Sequence, residues 1–214
     1  MAIPLPPGWS FAYGEAVNAS GQVAGEGMNG SGLYQAFIGA PSGSTAIPLP
    51  SGWTGASGYA VNVSGQVAGN GTNARGLAQA FIGTTAGSSA IPPPSGGVTT
   101  TIALGSLNNS GVVVGSADGT GWIWDATNGT RLLTSLVPSG WSVGSAISIS
   151  NNGLILAMAS YNGAPPHWVE LTPSLSPVLP STPAPSTLTL LLIGVIFCLG
   201  WRVRILQAAP KRKS

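Results

Sequence analysis

The residues that could do chemistry are few. The 214-residue chain contains one histidine and one cysteine. His167 follows Pro165 and Pro166 and precedes Trp168, with no cysteine near it, so a metal site or catalytic triad would rest on this residue alone. We interpret His167 as a strand-surface or packed residue rather than a ligand or base. Cys198 lies in an apolar run, which predicts a small buried side chain rather than a reactive thiol.

The acidic residues are scattered along the chain, at Glu15, Glu26, Asp118, Asp125 and Glu170. If the chain folded as a ring of repeats, Glu15 and Asp118 could meet at one opening of the ring, but their spacing in the sequence does not indicate this. The glycine-rich segments separate short apolar runs, so none is the strand-to-helix loop that binds phosphate. We therefore predict no catalytic, cofactor-binding or metal-binding residue, no cofactor, and a protein that is not an enzyme.

Charge divides the chain into two parts. Residues 1–185 hold five acidic and two basic residues, whereas residues 186–214 hold five basic residues and no acidic one. The resulting charges of −3 and +5 argue against nucleic acid as a partner of the body, since a nucleic-acid-binding domain is basic. A basic tail that follows an apolar run favours a membrane instead.

The elements that would position any site come from a repeat. AVNASGQVAG begins at Ala16, and AVNVSGQVAG begins 44 residues later at Ala60, with nine of ten letters shared. NNSGVVVG from Asn108 and SNNGLILA from Ser150 are weaker copies. The sequons at Asn18, Asn62 and Asn108 belong to this turn, where asparagine favours a local turn, rather than to glycosylation.

Each repeat predicts short β-strands. In the second copy we expect strands at Tyr59–Asn62, Gln66–Gly69, Leu77–Ile82 and Ser89–Pro92, because short apolar runs alternate with turn signals. No helical period of useful length occurs in residues 1–175. Residues 1–172 therefore predict an all-β domain of four repeats of about 44 residues. Its architecture is β-propeller-like, as a four-bladed ring or a partial, open arc.

Two further expectations follow from the repeat. Phe37, Phe81, Trp122 and Trp168 would pack between repeats. The fourth strand of the first three repeats would be Ala46–Pro50, Ala90–Pro94 and Thr134–Pro138. A spare copy, Ala2–Pro6, would pair with His167–Leu171 if the ring closes.

The C-terminal part predicts a membrane anchor. Residues 173–187 form a Pro/Ser/Thr-rich linker, 188–206 a transmembrane helix and 207–214 a basic tail. The flanking bases should place the C-terminus in the cytoplasm, and these bases are Arg202, Arg204, Lys211, Arg212 and Lys213. A buried core helix is the alternative, but it would have no other helix to pack on.

The repeat resembles the HAF repeat of exported bacterial proteins, in which INxxGQVVG precedes HAFLW. The matching residues here are Val17-Asn18, Gly21–Gly25 and Gln35–Ile38, and the second copy matches equally well. Glutamine replaces the motif's histidine in both copies, and His167 restores it in the fourth. The resemblance covers about residues 10–170 and implies a propeller-like β architecture without established chemistry.

The C-terminal segment resembles a PEP-CTERM sorting signal, in which Pro-Glu-Pro precedes a short transmembrane helix and a basic cluster. The motif positions are held by Pro183, Ala184, Pro185, Ser186 and Thr187, with Ala184 where glutamate is usual. The resemblance implies a Gram-negative surface or extracellular-matrix protein, and an exosortase-type processing enzyme as a partner.

These patterns favour a non-enzymatic surface protein, membrane-anchored or sorted to the surface, that binds matrix polysaccharide or another surface component. We expect an inner-membrane anchor with an extracytoplasmic repeat domain, processed to the cell surface or matrix where the sorting signal is cleaved. An exported propeller enzyme acting on glycans and a fragment of a larger repeat protein stay open. Met1 runs directly into AIPLP without a signal peptide. An upstream start, a truncated copy and insertion through the tail alone all fit this observation.

Overall fold

Short antiparallel strands build the folded part of this chain. The computed structural model describes residues 2–95, 97–174 and 200–205. Within them lie four antiparallel sheets and one 3₁₀ turn at Leu133–Ser135, without an α-helix. The expectation of an all-β repeat fold is confirmed at this level, and the reason is local: Asn-Gly and Ser-Gly turns interrupt runs too short for a helix.

The sheets follow one another along the chain. The first comprises β1 (Phe11–Val17), β2 (Val23–Met28), β3 (Tyr34–Ala40) and β4 (Gly43–Ala46) in that spatial order. The second comprises β5 (Gly55–Val61), β6 (Val67–Thr72), β7 (Ala78–Thr84) and β8 (Gly87–Ala90). The third comprises β9 (Val113–Ala117), β10 (Thr120–Asp125) and β11 (Gly129–Leu132). The fourth comprises β12 (Trp141–Ile149), β13 (Ile155–Tyr161), β14 (His167–Ser174) and β15 (Gly200–Ile205).

Neighbouring sheets pack face to face, and each junction has its own core. We call the side of a sheet that faces the preceding sheet its N-side face and the other its C-side face. At the first junction, Ala24, Ala36 and Ile38 of the first sheet meet a set from the second, namely Ala56, Val61, Val67 and Phe81. Side chains alternate between the faces of a strand, so each sheet supplies two such faces.

The other two junctions follow the same rule. Ala60, Ala68 and Ala80 on the C-side face of the second sheet pack with Val113 and Trp122 of the third. Val114 and Ile123 on the C-side face of the third sheet pack against the fourth, through a set that includes Val143, Ala146, Ile155, Val169 and Leu171. Each repeat thus completes its core only with its neighbours, as in other repeat proteins.

The duplicated decapeptide holds the sheets in register. The Oδ1 atom of Asn18 accepts hydrogen bonds from the backbone N–H groups of Ser20 (3.0 Å) and Gln22 (2.9 Å), which closes the turn. Its Nδ2 atom donates to the backbone carbonyl of Asn62 at 2.7 Å in the next turn. Asn62 donates likewise to Asn108 (3.2 Å), and Asn108 to Ser150 (3.4 Å). We call this series of bonds the asparagine ladder.

A second asparagine turn explains the glutamine at the motif's histidine position. Asn73 accepts from the backbone N–H groups of Arg75 and Leu77 and donates to Gln79 Oε1 at 3.0 Å. Gln79 Nε2 then donates to the carbonyl of Ile91 at 3.1 Å. The first sheet has the same bonds through Asn29, Gln35 and Ile47. This glutamine ties the turn to the chain that leaves the sheet.

Several expected strands lie elsewhere. The fourth strand of the first three repeats ends two or more residues before the predicted prolines, and β4, β8 and β11 replace Ala46–Pro50, Ala90–Pro94 and Thr134–Pro138. The prolines lack an N–H group for the sheet, so Ile47 and Ile91 make its last backbone hydrogen bonds, and their side chains fill the junctions. In the third repeat, Thr101 and Leu107 form isolated bridges rather than a first strand.

The predicted closure by the N-terminus is wrong. The edge of β14 that does not pair with β13 pairs with β15, and not with Ala2–Pro6. In this register Val169 lies opposite Ile205. Ile3 instead lies beside Gly39 of the first sheet, where a Cβ atom on that glycine would come within 2.8 Å of the Ile3 side chain.

The predicted transmembrane segment 188–206 is described in part. Its residues 200–205 form β15 and not the end of a helix, and its other residues lie outside the described ones. Among the described parts of the chain, no helix is both long and apolar enough to span a bilayer.

Candidate functional site

Three aromatic side chains on the first sheet are not part of its repeat core. Phe11 and Tyr13 lie two residues apart on β1, and Tyr34 begins β3. The register places Phe11, Met28 and Tyr34 in one row across the sheet, so their side chains share a face. The ring centroids of Phe11 lie 5.3 Å from Tyr13 and 5.9 Å from Tyr34. We call Phe11, Tyr13 and Tyr34 the aromatic patch.

The patch is open to solvent. Tyr13 is 60% exposed and Tyr34 is 47% exposed. The 44-residue register puts Gly55, Ser57 and Ala78 at the same positions of the second sheet. The second sheet folds with these small residues, so the fold does not require rings there. Exposed aromatics that the core does not need are typical of binding surfaces.

A polar groove adjoins the patch between the first and second sheets. It has a volume of ≈ 320 Å³ and is lined by Leu33 and Tyr34 of the first sheet together with Thr54, Ser57, Asn70 and Thr72 of the second. The Ser57 hydroxyl donates to the carboxylate of Glu26 across the junction. Asn70 is not free for a ligand, because its amide exchanges two hydrogen bonds with the backbone of Ile102.

Two carboxylates lie beside the aromatic patch. Glu26 faces Tyr13 in the β1–β2 register, and Glu15 occupies a bulge between Gly14 and Ala16. Burial raises the pKa of Glu26, and the charge of Glu15 raises it further. A meeting of Glu15 with Asp118, which the spacing of the two residues does not indicate, is not among these interactions. Asp118 instead accepts hydrogen bonds from the Val98 backbone (2.9 Å) and the Thr99 hydroxyl (3.0 Å), and both lower its pKa.

The third sheet carries a separate ion pair. Arg131 Nη2 donates to Asp125 Oδ2 at 2.6 Å. Burial opposes ionisation of Asp125, but hydrogen bonds from Asn128 and Thr127 and the charge of Arg131 outweigh it, so its pKa is lowered. Asn128 and Arg131 hold this carboxylate in the turn after β10, which makes it a structural group.

The residues singled out from the sequence have different surroundings. His167 begins β14 and is exposed, so of the two interpretations the strand-surface one holds. Phe37, Phe81 and Trp122 are buried as predicted, but Trp168 is 45% exposed because it lies on the C-side face of the last sheet. Within the described residues, no three His, Cys, Asp or Glu side chains group as metal ligands would.

The sorting motif Pro183, Ala184, Pro185, Ser186 and Thr187 lies outside the described residues, as do Lys211, Arg212 and Lys213. The backbones of Arg202 and Arg204 lie in β15, opposite Thr172 and Glu170.

Sequence reasoning missed the aromatic patch. The signal was present in the aligned repeats, where bulky rings replace Gly55, Ser57 and Ala78.

Comparisons with known proteins identify no relative: no family model matches this chain, and neither a curated protein nor a solved structure matches it.

Proposed function

We propose that this chain is a non-enzymatic bacterial surface protein whose β-propeller-like repeat domain binds neutral polysaccharide through the aromatic patch. The observation that carries the proposal is the exposure of Tyr13 and Tyr34 at positions where the second repeat has Ser57 and Ala78. Tyrosine rings offer a flat apolar surface for a sugar ring and a hydroxyl for its polar edge. Apolar walls with a few convergent polar groups are the usual composition of a ligand site.

Charge selects the class of polysaccharide. Glu15 and Glu26 lie beside the aromatic patch, and the body of the chain carries a net charge of −3 by its five acidic and two basic residues. An acidic polymer would be repelled by both. A neutral glycan places no charge beside these carboxylates, and its hydroxyl groups can donate hydrogen bonds to them.

The test is affinity electrophoresis of the full-length chain in nonionic detergent, with hydroxyethyl cellulose, dextran or alginate in the gel. We expect a neutral polymer to retard the chain and alginate to leave it unretarded. Tyr13→Ala combined with Tyr34→Ala should weaken retardation at least tenfold. Tyr161→Ala is the matched control, since Tyr161 is 47% exposed and stacks near Trp141 on the fourth sheet. Equal loss in the control, or no retardation by either neutral polymer, would contradict the proposal.

The pair of carboxylates favours a second candidate, an exported enzyme that cleaves glycans. Glycoside hydrolases commonly use two carboxylic groups, one of which is held protonated as a general acid. Glu26 with its raised pKa beside Glu15 has that character. Release of reducing sugar from hydroxyethyl cellulose or dextran, abolished by Glu26→Gln, would favour this candidate. Binding without release would favour the first.

The anchor is proposed from the sequence. Leu188–Trp201 is uncharged and precedes the cationic end, and the PEP-CTERM-like motif at Pro183–Thr187 would present the chain to a processing enzyme. Membrane insertion would compete with the pairing of β14 and β15, because both use residues 200 and 201. The full-length chain expressed in a Gram-negative host should stay with membranes in alkaline carbonate. Recovery of the intact chain in the soluble fraction would contradict an anchor.

A further inference from the structure

Ile3 and Trp9 lie on the N-side face of the first sheet, but among the described residues this face lacks the neighbouring sheet that covers its equivalent in the second, although its residues are those of a buried junction. Val17 is 68% exposed, whereas Val61, at the same position of the second sheet, is 9% exposed. Ala12 and Val23 are half-buried where Ala56 and Val67 are buried. The sequence at these positions is the same, so the difference lies in the missing neighbour.

The second sheet shows what this face is built to contact. Its N-side face is covered by the C-side face of the first sheet, through Ala24, Ala36 and Ile38. The asparagine ladder accompanies the contact: the Asn62 carbonyl accepts bonds from Gly65 and from the Asn18 side chain. The Asn18 carbonyl accepts only from Gly21 in the described residues, which leaves a lone pair for a donor. The complementary surface is therefore the C-side face of a repeat sheet.

The fourth sheet carries a face of that kind that no other sheet of the described residues covers. Its strands place Ser148, Leu156 and Glu170 in one row and Met158 and Trp168 in the next. Among them, Ser148, Leu156 and Trp168 correspond to Ala60, Ala68 and Ala80 in the second sheet, which cover the third. On the fourth sheet they are partly exposed, with Trp168 at 45%. Ser148, Leu156 and Glu170 line an open cavity of ≈ 450 Å³.

We propose that copies of this chain associate head to tail, with the C-side face of the fourth sheet of one copy on the N-side face of the first sheet of the next. The contact repeats the rule that joins the four sheets within a chain. The two faces differ, so the interface is heterologous, and successive copies form a ring or a filament rather than an isologous dimer.

The occupant is a second copy because each chain supplies both halves of the contact. Val17 and Val23 form an apolar surface at one end, and Leu156, Met158 and Trp168 form another at the opposite end of the repeat order. Apolar surface of this kind on both end faces is stabilised by mutual burial.

Reciprocal variants test the proposal with the full-length chain in nonionic detergent micelles, by sedimentation velocity over a range of protein concentration. The wild type should form assemblies larger than a dimer. Val17→Asp blocks one end and Trp168→Asp blocks the other, so each variant alone should stay monomeric. Their equimolar mixture should form a 1:1 dimer and nothing larger, through the one junction that retains both native faces.

Val63→Asp is the matched control, since Val63 is 44% exposed in a turn between β5 and β6 rather than on an end face. It should assemble like the wild type. A wild type that stays monomeric at all concentrations would overturn the proposal. So would assembly that Val17→Asp abolishes and Trp168→Asp does not alter, because the N-side face of the first sheet would then have another occupant. The monomeric variants keep the aromatic patch, so neutral glycan should still retard them in affinity electrophoresis. A failure of assembly is thereby distinguished from a failure of glycan binding.

Discussion

The first and second sheets share most of their sequence and differ in their surroundings. The second sheet is covered on both faces, by the first and the third. Among the described residues, the first has a neighbouring sheet on its C-side face alone, and its β1 strand is less buried than the equivalent β5 strand. The comparison teaches that the repeat encodes junction faces, and that the same residues stay exposed where no neighbouring sheet covers them.

The largest expected difference concerns the paired valines. Val61→Asp would bury a carboxylate between the first two sheets, and we expect a loss of about 3 kcal/mol or more in unfolding free energy. Val17→Asp should change the free energy by less than about 0.5 kcal/mol, since the side chain is 68% exposed. Denaturant unfolding followed by tryptophan fluorescence, at a concentration too low for association, measures both. Similar losses in the two variants would mean that the N-side face of the first sheet is covered.

A smaller difference should appear in the asparagine ladder. Asn62 is 2% exposed, and its side chain makes bonds to Ser64, Gln66 and Asn108. Asn62→Ala leaves these buried groups without partners and should cost about 2–3 kcal/mol. Asn18→Ala removes the same kinds of bond from a half-buried turn, where water replaces them, and should cost about 1 kcal/mol.

The same unfolding experiment distinguishes the hydrogen bonds that close the Asn18 turn from the hydrogen bond that joins it to the next turn. Asn18→Asp keeps the Oδ1 acceptor for Ser20 and Gln22 but removes the amide that donates to Asn62. We expect it to destabilise the chain by less than Asn18→Ala does, because the bonds that close the turn remain and those of the amide are lost. A wild-type stability for Asn18→Asp would show that the bond between the turns contributes nothing.

The sequence predicts the repeat and its strands because these depend on local order. In Asn-x-Ser-Gly the asparagine side chain accepts hydrogen bonds from backbone N–H groups of its own turn. The strands β5, β6 and β7 fall within a few residues of the expected positions. The fourth strand was misplaced since AIPLP is an apolar run like a strand. Its isoleucine, however, makes the last backbone hydrogen bond to the neighbouring strand, and its side chain fills a junction.

The rest depends on contacts between repeats, which no single repeat specifies. The hydrogen bond from Asn18 to Asn62 joins residues 44 positions apart, and neither decapeptide by itself predicts it. The aromatic patch is visible only as a difference between copies, at Phe11, Tyr13 and Tyr34. Trp168 was expected in the core because the pattern predicts an apolar strand, but the pattern cannot tell which sheet ends the series.

The smallest expected effect compares Glu26 with Asn70, its counterpart in the second sheet. Asn70 is neutral and bonds the backbone of Ile102 twice, whereas Glu26 is a half-buried acid bonded to Ser57. Burial and then Glu15 raise the pKa of Glu26 in the folded chain. A raised folded-state pKa means that folding favours the protonated form. This contribution to stability is therefore complete at pH values below the pKa of the unfolded chain and is lost as the pH rises through the folded-state pKa.

Glu26→Gln keeps an acceptor for Ser57 and removes the charge, which makes the first junction chemically more like the second. We expect the variant to be more stable than the wild type at pH 7, by less than about 1 kcal/mol because the carboxylate is partly solvated. At pH 3.5 the difference should shrink toward zero, since the glutamate is then mostly protonated. Glu170→Gln serves as the control for a change of net charge and should not reproduce this dependence. A Glu26→Gln variant that is less stable than the wild type at pH 7 would show that the ionised carboxylate stabilises the junction, and the two junctions would then rest on different chemistry.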